Sequence, residues 1–368
     1  MRWNWQQPDW PQFTYDAEAL RLQEQQFLKG AGIVLGAMAH LDGEDRQGLM
    51  IAMIAEEAVD SSAIEGEFLD RASVQSSVAQ HLGIKADVRR ASAAEAGAAQ
   101  LMALLYRSYA TPLSEEVLCQ WHATLLNGRR DLKDVGAYRT HADPMQIVSG
   151  AVYAPKVHFE APPSERVPDE MASFIRWFNE SGPAGPRPVS ALARAGIAHL
   201  WFETIHPFED GNGRLGRALA EKALAQSVDA PVVTALAQTI QRNRKAYYEQ
   251  LHRASLSNVT DGWLGWFATA VLAAQERSRR SVEFIIAKAR LLDRLAGRIN
   301  ARQERALLRM FAEGIDGFKG GLSASNYRTI TDATSATATR DLAELVEMGA
   351  LRKQGQLRYT RYHLELGQ

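Results

Sequence analysis

Two helix-forming segments flank a glycine-rich loop at residues 206–213, and this arrangement constrains the fold more than any other feature. Both flanking segments, 189–205 and 214–226, repeat apolar residues at helical spacing. Residues 17–109 are rich in Ala, Leu, Glu and Gln, with breaks near residues 42–43 and 81–83 that predict about three helices. Further helical patterns cover about 234–256 and 260–296. The sequence therefore predicts an all-α core that presents one loop between two helices.

Two short stretches depart from this helical pattern. Residues 146–159 contain β-prone runs around Gly150 and Pro155, which predicts a small β-hairpin. After about Gln303, three helical faces precede two strand-like runs joined by a glycine turn, the element order of a winged helix-turn-helix. We therefore divide the chain into an N-terminal arm with helices (1–110), a core (111–298) and a C-terminal winged-helix module (299–368).

The composition excludes several classes of protein. Lys and Arg total 42 against 43 Asp and Glu, so the chain has no overall basic field to hold a polyanion. A single cysteine, Cys119, rules out an internal disulfide and a cysteine-rich zinc site. The longest apolar stretch falls far short of the roughly 20 residues that cross a bilayer. These features predict a soluble, cytoplasmic protein that does not associate with a membrane.

The loop and the helix after it carry the chemistry. The segment His206-Pro-Phe-Glu-Asp-Gly-Asn-Gly-Arg-Leu-Gly-Arg217 combines a histidine suited to act as a general base with a carboxylate, Asp210, suited to Mg²⁺. Its glycines and the following helix N-terminus offer backbone N–H groups to an anion. Arg214 and Arg217 lie three residues apart and share a helix face that can bind phosphate. The pattern predicts a site for a polyphosphate, a metal and a nucleophile.

This segment resembles the Fic family motif, HPFx[D/E]GNGRxxR, at every fixed position, and Tyr138-Arg139 also fits the family pattern. The resemblance implies transfer of AMP from ATP to a hydroxyl of a target protein. It makes His206 the base, Phe208 a structural anchor, and Asp210 the ligand of Mg²⁺. The remaining implied nucleotide contacts are Gly211, Asn212, Gly213, Arg214 and Arg217. Gly213 stands where the kinase-like Doc toxins have lysine, which favours nucleotidyl transfer.

Two further segments resemble parts of Fic proteins. The hairpin at 146–159 resembles the flap that aligns a target chain by strand addition, although a surface hairpin without a role is the alternative. The segment 242–248 resembles the one that closes over adenine. It would contribute Asn243 and either Tyr247 or Tyr248, and buried aromatic packing is the competing explanation for the two tyrosines.

A second motif lies upstream of the core, within the N-terminal helical region. Ser61 and Glu65 are four residues apart and are followed by Gly66, which resembles the family's inhibitory helix, [S/T]xxxE[G/N]. In this class of Fic protein, Glu65 would pair with Arg217 and take the cation meant for the γ-phosphate. Without the neighbouring Fic motif, the same spacing would describe an ordinary solvated helix face.

Three functions remain open at the level of sequence. The preferred one is AMPylation of a Ser, Thr or Tyr hydroxyl, and the alternatives are removal of AMP by the same site or DNA-binding regulation through the C-terminal module. Residues 300–368 hold 10 basic and 8 acidic side chains, and Arg340 is followed by Asp341, Glu344 and Glu347. That acidity argues against insertion into a DNA groove and favours homodimerisation or protein docking over DNA.

Overall fold

The computed structural model describes residues 2–85, 89–151, 154–231, 234–318 and 320–366. These residues form fourteen α-helices and two antiparallel β-hairpins, which confirms the all-α prediction. The chain divides into two compact units, one of residues 1–35 with 50–278 and the other of residues 36–49 with 279–368. Among the described residues, no helix is both long enough and apolar enough to cross a membrane.

The N-terminal region contains four helices where the sequence predicted about three: α1 (Ala17–Ala39), α2 (Gly43–Ile64), α3 (Arg71–His81) and α4 (Ala93–Ser108). Both predicted breaks are present. The additional break follows Ile64, where Gly66 adopts a positive φ of 85° that disfavours other residues. Asp70 then caps the next helix, because its side chain accepts a hydrogen bond from the Ser73 N–H. This break ends α2 beside Glu65.

The core of the first unit follows in chain order. Its elements are α5 (Glu115–Leu125), β1 (Gln146–Ala151), β2 (Ala154–Glu160), α6 (Val167–Glu180), α7 (Ala191–Ile205), α8 (Asn212–Ser227), α9 (Leu236–Arg242), α10 (Arg244–Ala254) and the part of α11 (Asp261–Leu295) up to residue 278. Every residue of α7 except Glu203 is buried, so this helix lies at the centre of the hydrophobic core. The helix α7 packs extensively against α8, which places the loop between them at the end of a rigid helix pair.

The predicted hairpin is formed by β1 and β2, which pair antiparallel from Gln146 opposite Glu160, with a register shift after Ile147. Residues 152 and 153 of the predicted run lie outside the described residues. The N-terminal arm supports the base of this hairpin. Trp3 packs edge-to-face on Phe159 with 5.2 Å between ring centroids, and the indole N–H of Trp5 donates to the carbonyl of Glu160 at 2.7 Å.

The second unit has the predicted order of three helices and a hairpin. Its elements are α12 (Ala301–Phe311), α13 (Ala324–Thr331), α14 (Ser335–Glu347), β3 (Leu351–Gln354) and β4 (Arg361–Leu364). The side chains of Asn300, Ser323 and Thr334 cap the three helices. Leu307, Tyr327 and Leu342 are fully buried and belong to a hydrophobic cluster confined to this part of the chain.

Candidate active site

The loop between α7 and α8 is held in shape from inside. Two backbone positions are left-handed, His206 with φ 49° and Gly211 with φ 80°. The Asn212 side chain accepts a hydrogen bond from the Phe208 N–H at 3.0 Å and donates one to the Phe208 carbonyl at 2.8 Å. The Phe208 ring is buried and stacks on His122 with 4.0 Å between centroids. The amide of Asn212 therefore shapes the loop, and only its backbone is available to a ligand.

Two side chains from outside the loop fix its backbone. Arg139 donates from Nε to the carbonyl of His206 at 2.8 Å, and its guanidinium also donates to Ser164 Oγ at 2.8 Å. His122 was not identified from the sequence. Its Nδ1 accepts from the Gly136 N–H at 2.8 Å, which leaves a protonated Nε2 to donate to the Asp210 carbonyl at 3.2 Å. Burial lowers the pKa of His122 to about 4, so the ring is neutral in this role.

The imidazole of His206 is nearly buried, with 11% of its side chain exposed. Its Nδ1 lies 3.4 Å from the carbonyl of Glu203, which is an acceptor and therefore favours the tautomer with the proton on Nδ1. Burial and the positive charge of Arg139 lower the pKa of His206 to about 4. At neutral pH the ring is therefore uncharged and Nε2 has a free lone pair.

Asp210 lies two residues before α8, next to the guanidinium groups of Arg129 and Arg214. Its carboxylate accepts from Arg129 Nη1 at 2.7 Å and from the Gly211 N–H, and Arg214 Nη2 lies 3.5 Å away. Burial acts to raise the pKa of Asp210, but Arg214, the Gly211 N–H and Arg129 together lower it, so the group is ionised. No cluster of three metal-ligating side chains occurs among the described residues. Asp210 is thus a single, partly exposed carboxylate.

The two residues predicted upstream meet Arg217. The guanidinium of Arg217 is 2% exposed and lies 2.8 Å from Glu65 Oε1. It also donates from Nε to Ser61 Oγ at 2.9 Å and from Nη2 to the Ser61 carbonyl at 2.8 Å. The positive φ of Gly66 ends α2 immediately after this contact. The spacing of Ser61 and Glu65 therefore places both residues against one buried arginine.

The carboxylate of Glu65 also covers the first turn of α8. A Cβ built on Gly213 would lie 2.1 Å from Glu65 Oε1, so a side chain at this position would have to displace the carboxylate of Glu65. Arg214 has its own acidic partner, since its Nη1 donates to Glu67 at 2.6 Å. Two buried cationic donors, Nε of Arg214 and Nη1 of Arg217, have no hydrogen-bond partner among the described residues. A buried donor without an acceptor costs folding free energy, and a bound ligand that accepts hydrogen bonds from these donors would remove that cost.

A cavity of about 450 Å³ opens between the hairpin, α7 and α10. Its apolar lining includes Ile147, Val148, Phe159, Leu200, Tyr248 and Leu251, and its polar lining includes Glu203, Thr204, Arg244, His252 and Ser255. The phenol of Tyr248 donates to the Ile64 carbonyl at 3.3 Å, so this cavity borders the end of α2. Its size and mixed lining are typical of small-molecule sites.

The predicted adenine contacts separate in the structure. Tyr248 lines the cavity, whereas Tyr247 is 1% exposed and its hydroxyl bonds to His199 Nε2 at 2.9 Å. Asn243 lies at the break between α9 and α10, is exposed, and donates to the Thr239 carbonyl at 3.0 Å. Leu251 and Ser255 also line the cavity, and sequence reasoning missed them. Their spacing of three and seven residues from Tyr248 is the helical signal that identifies this face.

Buried carboxyl groups make the stability of the first unit depend on pH. Burial raises the pKa of Glu221 to about 8, and burial with the nearby Glu65 raises that of Glu203 to about 8. Burial, and then the nearby Glu221, raises the pKa of Glu57 well above its usual range. Because these carboxyl groups lose their protons near pH 4.5 when the chain is unfolded, they bind more protons in the folded than in the unfolded chain up to about pH 8.

We therefore expect the melting temperature to fall as the pH rises from about 6.5 to 8. The window ends there because burial lowers the pKa of Lys222 to about 8, and that group acts in the opposite direction at higher pH. Calorimetry of the native chain and of the Glu57→Gln/Glu221→Gln double variant tests this. The double variant should show a shallower slope, and an equal slope in both proteins would contradict the assignment.

Comparison with known proteins agrees with this geometry. Residues 112–224 match the Fic/DOC family, and residues 3–84 match a domain of unknown function (DUF4172). The chain therefore contains a Fic/DOC family domain, and this domain includes the loop, α7 and most of α8. The Fic motif inferred from the sequence is thereby confirmed.

Similar proteins carry the name protein adenylyltransferase. The chain is 33% identical to protein adenylyltransferase fic-1 of Caenorhabditis briggsae over 122 residues, which are 32% of this chain and 22% of that protein. It is 30% identical to a probable protein adenylyltransferase of Aquifex aeolicus over 108 residues, which are 29% of this chain and 28% of that protein. The chain thus matches less than a third of the length of each relative.

Two solved structures share the fold. A Fic family protein from Desulfovibrio desulfuricans G20 superposes with a TM-score of 0.53 at 20% identity, covering 96% of this chain and 98% of that one. A Fic domain containing signaling protein from Bacteroides thetaiotaomicron superposes with a TM-score of 0.52 at 17% identity, covering 70% of this chain and 97% of that one. At these identities the likeness concerns the fold.

Proposed function

We propose that the chain is a cytoplasmic protein adenylyltransferase that transfers AMP from ATP to a Ser, Thr or Tyr hydroxyl of a target protein. The observation that carries the proposal is the pair of unpartnered, buried cationic donors on α8, Nε of Arg214 and Nη1 of Arg217. They lie beside a helix N-terminus that is free of side chains at Gly211 and Gly213, which is a site suited to phosphates. The names of the similar proteins support the same reaction.

The mechanism assigns one task to each group. The neutral His206 accepts the proton of the target hydroxyl at Nε2, and the hydroxyl oxygen attacks the α-phosphorus. The bond from the α-phosphorus to the bridging oxygen breaks, pyrophosphate leaves, and AMP remains on the target. Arg214 and Arg217 stabilise the charge on the phosphates, so that positioning and electrostatics provide most of the rate.

The donor set around Asp210 fits a Mg²⁺ ion. Mg²⁺ is commonly held by one or two carboxylates together with substrate phosphates and waters, and Asp210 offers one ionised, partly exposed carboxylate. When bound, the ion would neutralise charge on the phosphates. Asp210 would hold it, and Arg129, which now pairs with that carboxylate at 2.7 Å, would have to release it.

Inhibition by Glu65 is part of the proposal. The carboxylate pairs with Arg217 and occupies the space above Gly213. It therefore competes with phosphate both for the guanidinium of Arg217 and for that space. The pair is charge-assisted, and Arg217 is almost fully buried, which limits screening by solvent. The hairpin of β1 and β2 borders the cavity and is proposed to align the target chain by strand addition.

Incubation with labelled ATP and a cell lysate tests the function. The Glu65→Gly chain should transfer label to protein, and mass spectrometry should find a mass increase of AMP on a hydroxyl side chain. The Glu65→Gly/His206→Ala chain provides the matched control. If neither chain transfers label, and the native chain instead removes AMP from modified proteins, the de-AMPylase alternative replaces this proposal.

A second function is favoured by the orientation of one acidic residue. We propose that the C-terminal helices and hairpin form a winged helix-turn-helix that contacts DNA. Asp341, one of the three acidic residues that argued against DNA binding, is fully buried and accepts from Arg302 Nε at 2.9 Å and from the Tyr327 hydroxyl at 3.0 Å. The exposed residues of the first half of α14 are Ser335, Ala336, Thr339 and Arg340, none of them acidic.

The neighbouring surfaces carry the charge that DNA phosphates require. Arg328 on α13 is exposed, as are Arg352, Lys353 and Arg358 of the hairpin. We expect duplex DNA to bind, with affinity falling as salt rises, and we expect Arg340→Ala and Arg358→Ala each to reduce the salt slope by about 1. Fluorescence anisotropy measures both. Arg309→Ala is the control, because it removes a cation on α12, which is not part of the proposed DNA-contacting surface; Arg309 pairs with Glu313 as Arg340 pairs with Glu344. Binding unchanged by Arg340→Ala and Arg358→Ala would favour protein docking or homodimerisation.

A further inference from the structure

Glu203 carries a nearly buried carboxyl group that the proposed mechanism leaves without a task. It lies in the last turn of α7, three residues before His206, and 12% of its side chain is exposed. Its Oε1 is buried and has no hydrogen-bond partner in the described part of the chain, while Oε2 lies 4.0 Å from His206 Nδ1. A Cβ on Gly216 would lie 2.7 Å from Oε1, so the side chain sits directly against α8. It also lines the cavity.

The charge of Glu203 depends on the groups around it. Burial and the carboxylate of Glu65 raise its pKa to about 8, and Arg217 acts in the opposite direction. Tyr247 from α10 also interacts with it electrostatically, and His199 from α7 approaches Gly216 from the same side. With Glu65 in place, Glu203 therefore holds a proton at neutral pH and carries no charge. Removing Glu65 removes one of the two causes of this shift.

His206 as the structure has it is a weak base for its proposed task. A general base works best with a pKa near the working pH, and that of His206 is held at about 4 by burial and by Arg139, although Glu65 and Asp210 act to raise it. Within the described ranges, the one acceptor within hydrogen-bond distance of its Nδ1–H is the carbonyl of Glu203 at 3.4 Å, the long end of the hydrogen-bond range. A second, charged acceptor at Nδ1 would both orient the ring and strengthen the base, as carboxylates do for other catalytic histidines.

We propose that Glu203 is a positioning residue whose carboxylate closes the 4.0 Å gap and accepts a hydrogen bond from His206 Nδ1 once Glu65 has left Arg217. The inference rests on the proposed function and adds a second way in which Glu65 regulates it. Glu203 releases its proton to solvent, and the proton of the target hydroxyl goes to His206 Nε2. Glu65 thereby inhibits twice, by blocking phosphate at Arg217 and by keeping Glu203 uncharged.

The kinetic test compares Glu65→Gly with Glu65→Gly/Glu203→Gln. The glutamine is isosteric but uncharged, so we expect kcat to fall about tenfold or more while KM for ATP changes less than about twofold. The acidic limb of the kcat pH profile should move to lower pH, because the charge that raised the pKa of His206 is gone. Glu203→Asp should restore part of both effects. Glu249→Gln removes an exposed carboxylate on α10 and is the control for loss of a charge alone.

A second measurement tests the contact between Glu203 and His206 without an activity assay. Nuclear magnetic resonance titration of the histidines, with His206 assigned through its alanine variant, reports the pKa of His206 directly. It should be higher in Glu65→Gly than in the native chain, and it should fall again with Glu203→Gln. If Glu65→Gly shows no transfer but this order is seen, the proposed function fails and the contact stands. An unchanged pKa of His206 across the three chains overturns the inference.

Discussion

Replacing Glu65 with glycine should raise AMP transfer and self-modification about 100-fold over the native chain, because near-attack geometry commonly contributes that much. The substitution removes the carboxylate 2.8 Å from Arg217 and opens the volume above Gly213. The γ-phosphate then gains its cation, and the α-phosphate can lie in line with the target hydroxyl.

The gain should arise without displacement of α2. Arg217 keeps two hydrogen bonds to Ser61, one to the hydroxyl and one to the carbonyl, so the helix remains anchored after Glu65 is removed. Glu65 follows the last residue of α2 and precedes a glycine, so a second glycine adds little strain. We therefore expect a melting temperature within a few degrees of that of the native chain, which separates this mechanism from release by unfolding.

Transfer of AMP measured at saturating Mg²⁺ and ATP tests whether Glu65 inhibits the reaction. Glu65→Gly/Arg217→Ala should lose the gain, because the two residues are proposed to act on each other. Glu56→Gln removes another carboxylate from α2, one that pairs with Arg71 instead of Arg217, and it should leave transfer unchanged. Equal transfer by the native chain and by Glu65→Gly would exclude inhibition by Glu65.

Replacing His206 with alanine in the Glu65→Gly background should lower transfer by about 10²–10⁴, the usual contribution of a general base. ATP affinity should change little. Among the described contacts, the imidazole meets only the carbonyl and carboxyl of Glu203, and neither Arg214 nor Arg217 depends on it. The loop itself is held through the carbonyl of His206 by Arg139 and through Phe208 by Asn212.

Because the backbone at residue 206 is left-handed, a second substitution is needed as a control. Alanine is disfavoured at φ 49°, whereas asparagine tolerates this conformation, so His206→Asn controls for backbone strain. Both variants should bind ATP in calorimetry and fail to transfer AMP. An active alanine or asparagine variant would show that His206 is not the base.

Several features of this protein follow from the sequence because they depend on neighbouring residues. The loop and its glycines act within one or two helical turns, where spacing alone sets geometry. The spacing of four residues likewise sets the shared direction of Ser61 and Glu65. The break after Ile64 was missed because a single glycine ends a helix only where its backbone adopts a positive φ, and composition does not reveal φ.

Tertiary structure decided the features that depend on which helix faces which. Tyr247 and Tyr248 are adjacent in sequence, and only packing against His199 places the first in the core and the second in the cavity. Asp341 faces inward because Arg302 and Tyr327 complete its hydrogen bonds. Glu203 has no motif to mark it, since its burial and its distance from His206 arise where α7 meets α8. Arg217 and Ser61 lie 156 positions apart, and their contact exists only because the fold buries one charged group where another can satisfy it.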